Sequence, residues 1–128
     1  FNCPMVMCNK TRKKANEVAS MEIIGDVKDA DVILIDDMVD TAGTIVKAAD
    51  LMKECGARSV RAMASHGVMS GPANERVQNS ALEGMVFTDS IPYTASCSKV
   101  KQISIADMMA ETIRRVLDNE SISSQYLI

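Results

Sequence analysis

The residues best suited to chemistry form one nine-residue run, D-D-M-V-D-T-A-G-T, at positions 36–44. Its last four residues (Thr41, Ala42, Gly43 and Thr44) are small or hydroxylated, so backbone N–H groups can converge on an anion. The threonine hydroxyls can donate hydrogen bonds to phosphate oxygens. Gly43 is expected to provide a backbone angle or a close approach that a side chain would prevent. The run therefore predicts a phosphate-binding turn at the start of a helix.

Three carboxylates in the same run (Asp36, Asp37 and Asp40) would repel a lone phosphate. A sugar phosphate explains them better. Asp36 and Asp37 can accept hydrogen bonds from ribose hydroxyls, or they can contact these hydroxyls through a shared Mg²⁺ ion. Asp40 is expected to orient the loop through an Asx-type turn. The alternative is an acidic turn that caps a helix, with Asp40 or Thr41 as the N-cap. The run is neither a P-loop nor a dinucleotide fingerprint, because it lacks G-K-[ST] and G-x-G-x-x-G.

A second candidate is the basic stretch that contains Lys10, Arg12, Lys13 and Lys14, which we predict to be an exposed loop over residues 9–16. Charge runs of this kind usually form a solvated surface. Their chemical use would be to neutralise charge on a phosphoryl group during its transfer.

The single histidine and the cysteines indicate no metal site. Four cysteines without a C-x-x-C pair, and no second histidine near His66, argue against zinc. We expect His66 to be structural rather than catalytic, and the cysteines to be reduced and mostly buried.

The elements that must position these residues alternate along the chain. We predict strands at 4–8, 21–25, 31–35, 59–64, 85–88 and 102–105, and helices over 45–55, from Pro72 toward Asn79, and after Ser104. The apolar run 31–35 predicts a strand that is covered on both faces. This alternation indicates a parallel sheet, in which functional groups gather at the carboxyl ends of the strands.

The last predicted helix has both a start signal and an apolar face. Ser104 and Asp107 match an S-x-x-D capping pattern. An apolar stripe that should face the core follows at Met108, Met109, Thr112, Ile113, Val116 and Leu117.

The composition bounds the class of protein. With 128 residues and 47% hydrophobic residues, the chain suits one globular domain. A net charge of −3 and 3% aromatic residues argue against nucleic-acid binding, and no apolar run is long enough to span a bilayer. These features predict a small cytoplasmic α/β domain.

The run V-I-L-I-D-D-M-V-D-T-A-G-T resembles the phosphoribosyl-pyrophosphate (PRPP) signature of proteins with the type I phosphoribosyltransferase fold. Together with N-K-T-R-K-K-A-N, A-S-H-G-V-M-S-G-P-A and the ending S-I-S-S-Q-Y-L-I, it is similar to the class I ribose-phosphate pyrophosphokinase (PRPP synthetase) family. The resemblance implies a Rossmann-like, three-layer α/β fold that is incomplete at its N-terminal end. It also implies that residues 1–128 form part of a C-terminal phosphoribosyltransferase-like domain.

The resemblance further implies transfer of the diphosphoryl group of ATP to ribose 5-phosphate, which gives PRPP and AMP, with Mg²⁺ as cofactor. Lys10 and Arg12 would be catalytic in a flexible loop, and Arg12 would also contact ribose 5-phosphate together with the 36–44 loop. Ser121 and Ser123 match positions that bind a regulatory phosphate in some family members, although a polar tail explains them equally well. A dimer-based homo-oligomer, by resemblance a hexamer, would be the assembly, and the 128 residues alone would be inactive.

Two other functions remain to be compared with this one. A non-catalytic subunit of the same fold, associated with PRPP synthetase, would usually lose the basic loop or alter the acidic run. A base phosphoribosyltransferase typically has a different sequence between the acidic pair and the T-A-G-T residues.

Overall fold

A computed structural model describes residues 3–11 and 20–125, with the backbone alone for residues 10, 11 and 20. Two short strands, β1 (Met7–Thr11) and β2 (Ser20–Ile24), pair antiparallel. Four further strands form a parallel sheet in chain order: β3 (Asp31–Val39), β4 (Ser59–Gly67), β5 (Gly84–Thr88) and β6 (Val100–Ile103). The parallel sheet confirms the predicted fold class.

Helix α1 (Gly43–Glu54) packs on β3 and β4, and helix α2 (Ala73–Asn79) packs against α1. Each helix buries its apolar side in the core. The core is formed by Ile45, Ala49 and Met52 of α1, Ala73 and Val77 of α2, and Val60, Ala62, Met85 and Phe87 of the sheet. The predicted helix over 45–55 is confirmed, and α1 begins two residues earlier, at Gly43.

The prediction that 31–35 forms a strand covered on both faces is half wrong. The strand forms, but β3 lies at the edge of the sheet and continues to Val39. Ile33 is 55% exposed and Ile35 is 72% exposed, because within the described residues no helix packs on that face. The continuous apolar run therefore predicts burial on both faces of β3, whereas the described residues cover only one of them.

Helix α3 (Ala106–Leu117) confirms the last predicted helix but not its predicted burial. No residue of α3 is buried, and Leu117 in the apolar stripe is 75% exposed. The predicted Ser104–Asp107 cap is confirmed in part: Ile105 is the N-cap and makes no side-chain capping bond, but the Ser104 hydroxyl accepts a hydrogen bond from the Ala106 N–H at 3.3 Å. The Asp89 carboxylate also accepts a hydrogen bond from the Ile105 N–H at 3.0 Å.

Two further expectations, the exposed loop over residues 9–16 and the burial of the cysteines, are corrected by the structure. Residues 9–11 belong to β1 rather than to the predicted loop, since they pair with β2, and residues 12–16 lie outside the described residues. Most cysteines are exposed rather than buried, with Cys97 the buried exception and Cys3, Cys8 and Cys55 exposed.

Among the described helices, none combines the length and apolarity needed to cross a membrane.

The carboxyl ends of β4 and β5 pack against each other through a glycine. A Cβ atom at Gly67 would lie 2.5 Å from the ring of Phe87, so only glycine permits this approach. The Phe87 ring in turn packs edge-on against Tyr93, with ring centroids 5.3 Å apart. The Tyr93 hydroxyl lies 2.5 Å from Oδ1 of Asn74 in α2, to which it donates a hydrogen bond. These contacts join the carboxyl ends of β4 and β5 to α2, at the end of the sheet where the candidate loops emerge.

Candidate functional site

The predicted phosphate turn lies between β3 and α1, at the carboxyl edge of the sheet. β3 ends at Val39, residues 40–42 form the turn, and α1 begins at Gly43. Ala42 is the N-cap and takes a left-handed conformation, with φ 59° and ψ 4°. Its methyl group cannot cap a helix, and the first turn of α1 contains no acidic residue. The helix start therefore keeps its positive end and carries no competing carboxylate, as an anion site requires.

The two expectations about this turn have different outcomes. Gly43 was expected to provide either a backbone angle or a close approach, and the left-handed angle lies at Ala42 instead. The close approach is present, because a Cβ at residue 43 would lie 3.4 Å from Nη1 of Arg76 in α2. The alternative of Asp40 or Thr41 as N-cap is wrong, since the N-cap is Ala42.

Asp40 is held by a neighbouring loop rather than by its own backbone. Its carboxylate accepts a hydrogen bond from the Ser70 hydroxyl, and its carbonyl accepts one from the Ser70 N–H at 3.0 Å. The predicted Asx-type turn is therefore replaced by a bond to the connection between β4 and α2. Sequence reasoning missed Ser70 and Arg76 as parts of this site, because residues 30 and 35 positions away carry no local signal of the contact.

The acidic pair lies within β3 and not after it. In both β3 and β4 the alternation of buried and exposed residues shifts by one near this point, so that Val39 and Gly67 are buried. As a result, Asp36 and Asp37 are both exposed although they are adjacent in a strand. The Asp36 carboxylate accepts a hydrogen bond from the Asp37 N–H at 3.0 Å. The pair and the 40–42 turn thus lie on one continuous stretch at the same sheet edge.

The basic stretch that contains the predicted catalytic residues is described only at its start. The backbone of Lys10 pairs with Met21 in the β1–β2 ladder, whereas Arg12, Lys13 and Lys14 lie outside the described residues.

His66 lies at the carboxyl end of β4, next to Met38 of β3 in the sheet register. Its Nδ1 is 2.8 Å from the Ser90 hydroxyl, which is also 3.3 Å from the Ser65 carbonyl. The ring thus links the ends of β4 and β5, and its structural role stays a prediction.

The tail that contains Ser121 and Ser123 follows α3. The Ser121 carbonyl accepts a hydrogen bond from Arg115 at 3.0 Å, and its hydroxyl accepts one from the Ser123 N–H at 3.2 Å. Both serines are exposed. Within the described ranges, no cluster of three or more histidine, cysteine or acidic side chains could hold a metal ion.

The sequence matches the family described as phosphoribosyl synthetase-associated domain over residues 5–127. It is 65% identical over 123 residues to a ribose-phosphate pyrophosphokinase of Porphyromonas gingivalis, covering 96% of this chain and 39% of that protein. It is 52% identical over 122 residues to the enzyme of the same name from Helicobacter hepaticus, covering 95% of this chain and 40% of that protein.

The structure superposes on the crystal structure of phosphoribosylpyrophosphate synthetase from Mycobacterium smegmatis with a TM-score of 0.81. The sequences are 38% identical, and the match covers 91% of this chain and 37% of the other. The chain thus spans about two fifths of the length of the relatives that it matches. The family match over nearly the whole chain, supported by this shared fold, assigns the chain to the phosphoribosyl synthetase-associated domain family.

Proposed function

We propose that this protein is a ribose-phosphate pyrophosphokinase, which transfers the diphosphoryl group of ATP to the 1-hydroxyl of ribose 5-phosphate. In this proposal, residues 1–128 are a C-terminal domain, or part of one, that binds the sugar phosphate. The observation that carries the proposal is the 40–42 turn, which joins a strand that ends in two exposed aspartates and Met38–Val39 to a helix whose N-cap, Ala42, makes no side-chain capping bond. The names of the similar proteins agree with it.

The 40–42 turn and the start of α1 suit the 5-phosphate. Helix-start N–H groups and the positive end of the helix dipole favour an anion. Thr41 and Thr44 are exposed, and their hydroxyls can donate to phosphate oxygens. The ordinary alternative, a helix capped by its own acidic turn, is disfavoured because Asp40 bonds to Ser70 instead.

The carboxylates Asp36 and Asp37 suit the ribose hydroxyls, and they also fit a magnesium ion. Mg²⁺ is commonly bound through one or two carboxylates together with substrate oxygens rather than by a cage of protein ligands. Both side chains are exposed hard oxygen donors, which matches that pattern. When bound, the ion would neutralise charge on the ATP oxygens.

The reaction itself needs positive charge near the transferred group. The 1-hydroxyl oxygen attacks the β-phosphorus of ATP and loses its proton, and the bond from that phosphorus to the α–β bridging oxygen breaks to release AMP. Negative charge that develops on these oxygens requires nearby cations. We assign this role to Lys10 and Arg12, with Arg12 also contacting ribose 5-phosphate.

Three further features belong to the proposal. The protein assembles as a dimer-based homo-oligomer, such as a hexamer, in the cytoplasm. Ser121 and Ser123 bind a regulatory phosphate. The 128 residues alone recognise the sugar phosphate at most and do not turn over.

The decisive experiment measures AMP formation from ATP and ribose 5-phosphate by the intact protein and by its Lys10→Ala and Arg12→Ala variants. Loss of a transition-state donor of this kind reduces kcat by about 10²–10³. Lys28→Ala is the matched control, because Lys28 is exposed and lies before the amino end of β3, whereas the candidate turn follows its carboxyl end.

Each outcome points to one function. AMP production that depends on Lys10 and Arg12 supports the proposal. Release of pyrophosphate from PRPP and a base would indicate a base phosphoribosyltransferase, and neither activity would indicate a non-catalytic associated subunit. AMP produced by residues 1–128 alone would contradict the proposed division of roles.

A further inference from the structure

The connection between β4 and α2 binds the 40–42 turn from outside. The Met69 N–H donates to the Val39 carbonyl at 3.1 Å, and the Ser70 N–H donates to the Asp40 carbonyl at 3.0 Å. The Ser70 hydroxyl adds a bond to the Asp40 carboxylate. Consecutive residues of one loop are thus bound to consecutive residues of the other, so the two loops hold each other's conformation.

Arg76 extends this contact by one further residue. Its Nη1 donates to the Thr41 carbonyl at 2.9 Å and lies close to Gly43, where a Cβ would be 3.4 Å from it. A carbonyl bound by a guanidinium group is directed toward that group and not toward an incoming phosphate. Arg76 also places a positive charge beside a turn whose neighbouring side chains are acidic.

Both loops contain backbone that would not keep its conformation unaided. Ala42 has φ 59° and Met69 has φ 52°, a left-handed region that residues with a Cβ atom avoid. Both residues are buried, with 4% and 7% of their surface exposed. Such conformations persist only where the surrounding contacts impose them. The hydrogen bonds from Ser70 and Arg76 are contacts of that kind.

We propose that Ser70 and Arg76 are positioning residues for ribose 5-phosphate binding. They act through Asp40 and Thr41, by holding the 40–42 turn in the conformation that presents its N–H groups to the phosphate. This inference rests on the proposed function, because it assumes that the turn binds the sugar phosphate.

The test is a calorimetric titration of the intact protein with ribose 5-phosphate, together with the KM for ATP and the thermal midpoint. We expect Ser70→Ala and Arg76→Ala each to weaken ribose 5-phosphate binding about tenfold, which corresponds to about 1.4 kcal/mol. The KM for ATP and the thermal midpoint should stay close to those of the unchanged protein. Arg76→Lys should recover most of the affinity, since an ammonium group can still donate to the Thr41 carbonyl.

Arg58→Ala is the matched control. Arg58 is also an exposed arginine with one principal partner, but that partner is Asp31 at the amino end of β3, the opposite end from the turn. Its loss should leave the affinity for ribose 5-phosphate unchanged.

The outcomes separate the two proposals. If the unchanged protein binds no ribose 5-phosphate, the proposed function itself fails. If the unchanged protein binds it and both alanine variants bind within twofold, only the positioning role is overturned. A parallel loss of ATP affinity or of thermal stability would also overturn that role, because it would show a general structural effect. Should Arg76→Ala fail to fold, Ser70→Ala and Arg76→Lys decide the question.

Discussion

The packing of Gly67 against Phe87 predicts a large effect from a single added methyl group. In Gly67→Ala, the new Cβ would lie 2.5–2.6 Å from three atoms of the Phe87 ring. Non-bonded carbons are normally about 3.5–4.0 Å apart, so the ring or strand must move by about 1 Å. The ring is only 1% exposed and packs against Tyr93, so it has little space to move. Overpacking of this kind destabilises a protein by about 1–3 kcal/mol.

The assay is urea unfolding of the intact protein, followed by circular dichroism, with Gly84→Ala as the control. Gly84 is also a strand glycine, but a Cβ there would meet its nearest atom, the Lys99 carbonyl oxygen, at 3.7 Å, an ordinary contact. Alanine is favoured over glycine within a strand by about 0.5–1 kcal/mol. The two substitutions should therefore change stability in opposite directions. Phe87→Leu should reduce the penalty of Gly67→Ala, because it removes the ring edge. Equal stabilities for the two alanine variants would refute the reasoning.

Two further predictions concern α3 and Tyr93. Hydrogen bonds from Arg114 and Arg115 lower the pKa of the Glu111 carboxyl from 4.5 to about 2. Because its folded-state pKa is depressed, Glu111 stabilises the fold above pH 4.5 and loses this effect as the pH falls from 4.5 through 2. The Glu111→Gln variant should therefore be less stable at neutral pH, and the difference in thermal midpoint should shrink steadily as the pH falls toward 2; a constant difference would contradict this. Tyr93→Phe removes the hydrogen bond to Asn74 and should lower the free energy of unfolding by about 1 kcal/mol in urea titrations; an unchanged midpoint would show that this bond contributes nothing.

The sequence predicts the elements better than it predicts their ends. The strand at 31–35 and the helix at 45–55 follow from apolar runs and helical spacing, which are local signals. The extension of β3 to Val39 is not local, because Asp36 and Met38 remain extended by pairing with Ala64 and His66 of β4. A rule that ends strands at charged residues therefore places the boundary too early.

Burial is the second property that local patterns predict poorly. The stripe on α3 was correctly identified as apolar, and its members lie on a helix. A period of 3.6 residues shows that a helix has an apolar face, but not which element covers that face. In the described residues nothing buries it. The same reason explains the exposed side of β3.

The candidate turn shows the limit most clearly. Its place between a strand and a helix, and its small residues, were predictable from the sequence. Gly43 was expected to provide either a backbone angle or a close approach, and only the close approach is found there. The left-handed angle lies at Ala42, in a turn that Ser70 and Arg76 contact. These contacts join residues 30 and 35 positions apart, so no local sequence pattern predicts them.

The most direct test of the central proposal is the affinity of the intact protein for ribose 5-phosphate after the double substitution Thr41→Val and Thr44→Val. Thr112→Val is the control, because Thr112 lies on α3 and its hydroxyl bonds to the Met108 carbonyl. Hydrogen bonds to charged groups contribute about 1.5–3 kcal/mol each, so loss of two should weaken binding at least about a hundredfold while the control binds normally. Undiminished affinity in the double variant would show that the phosphate is bound elsewhere.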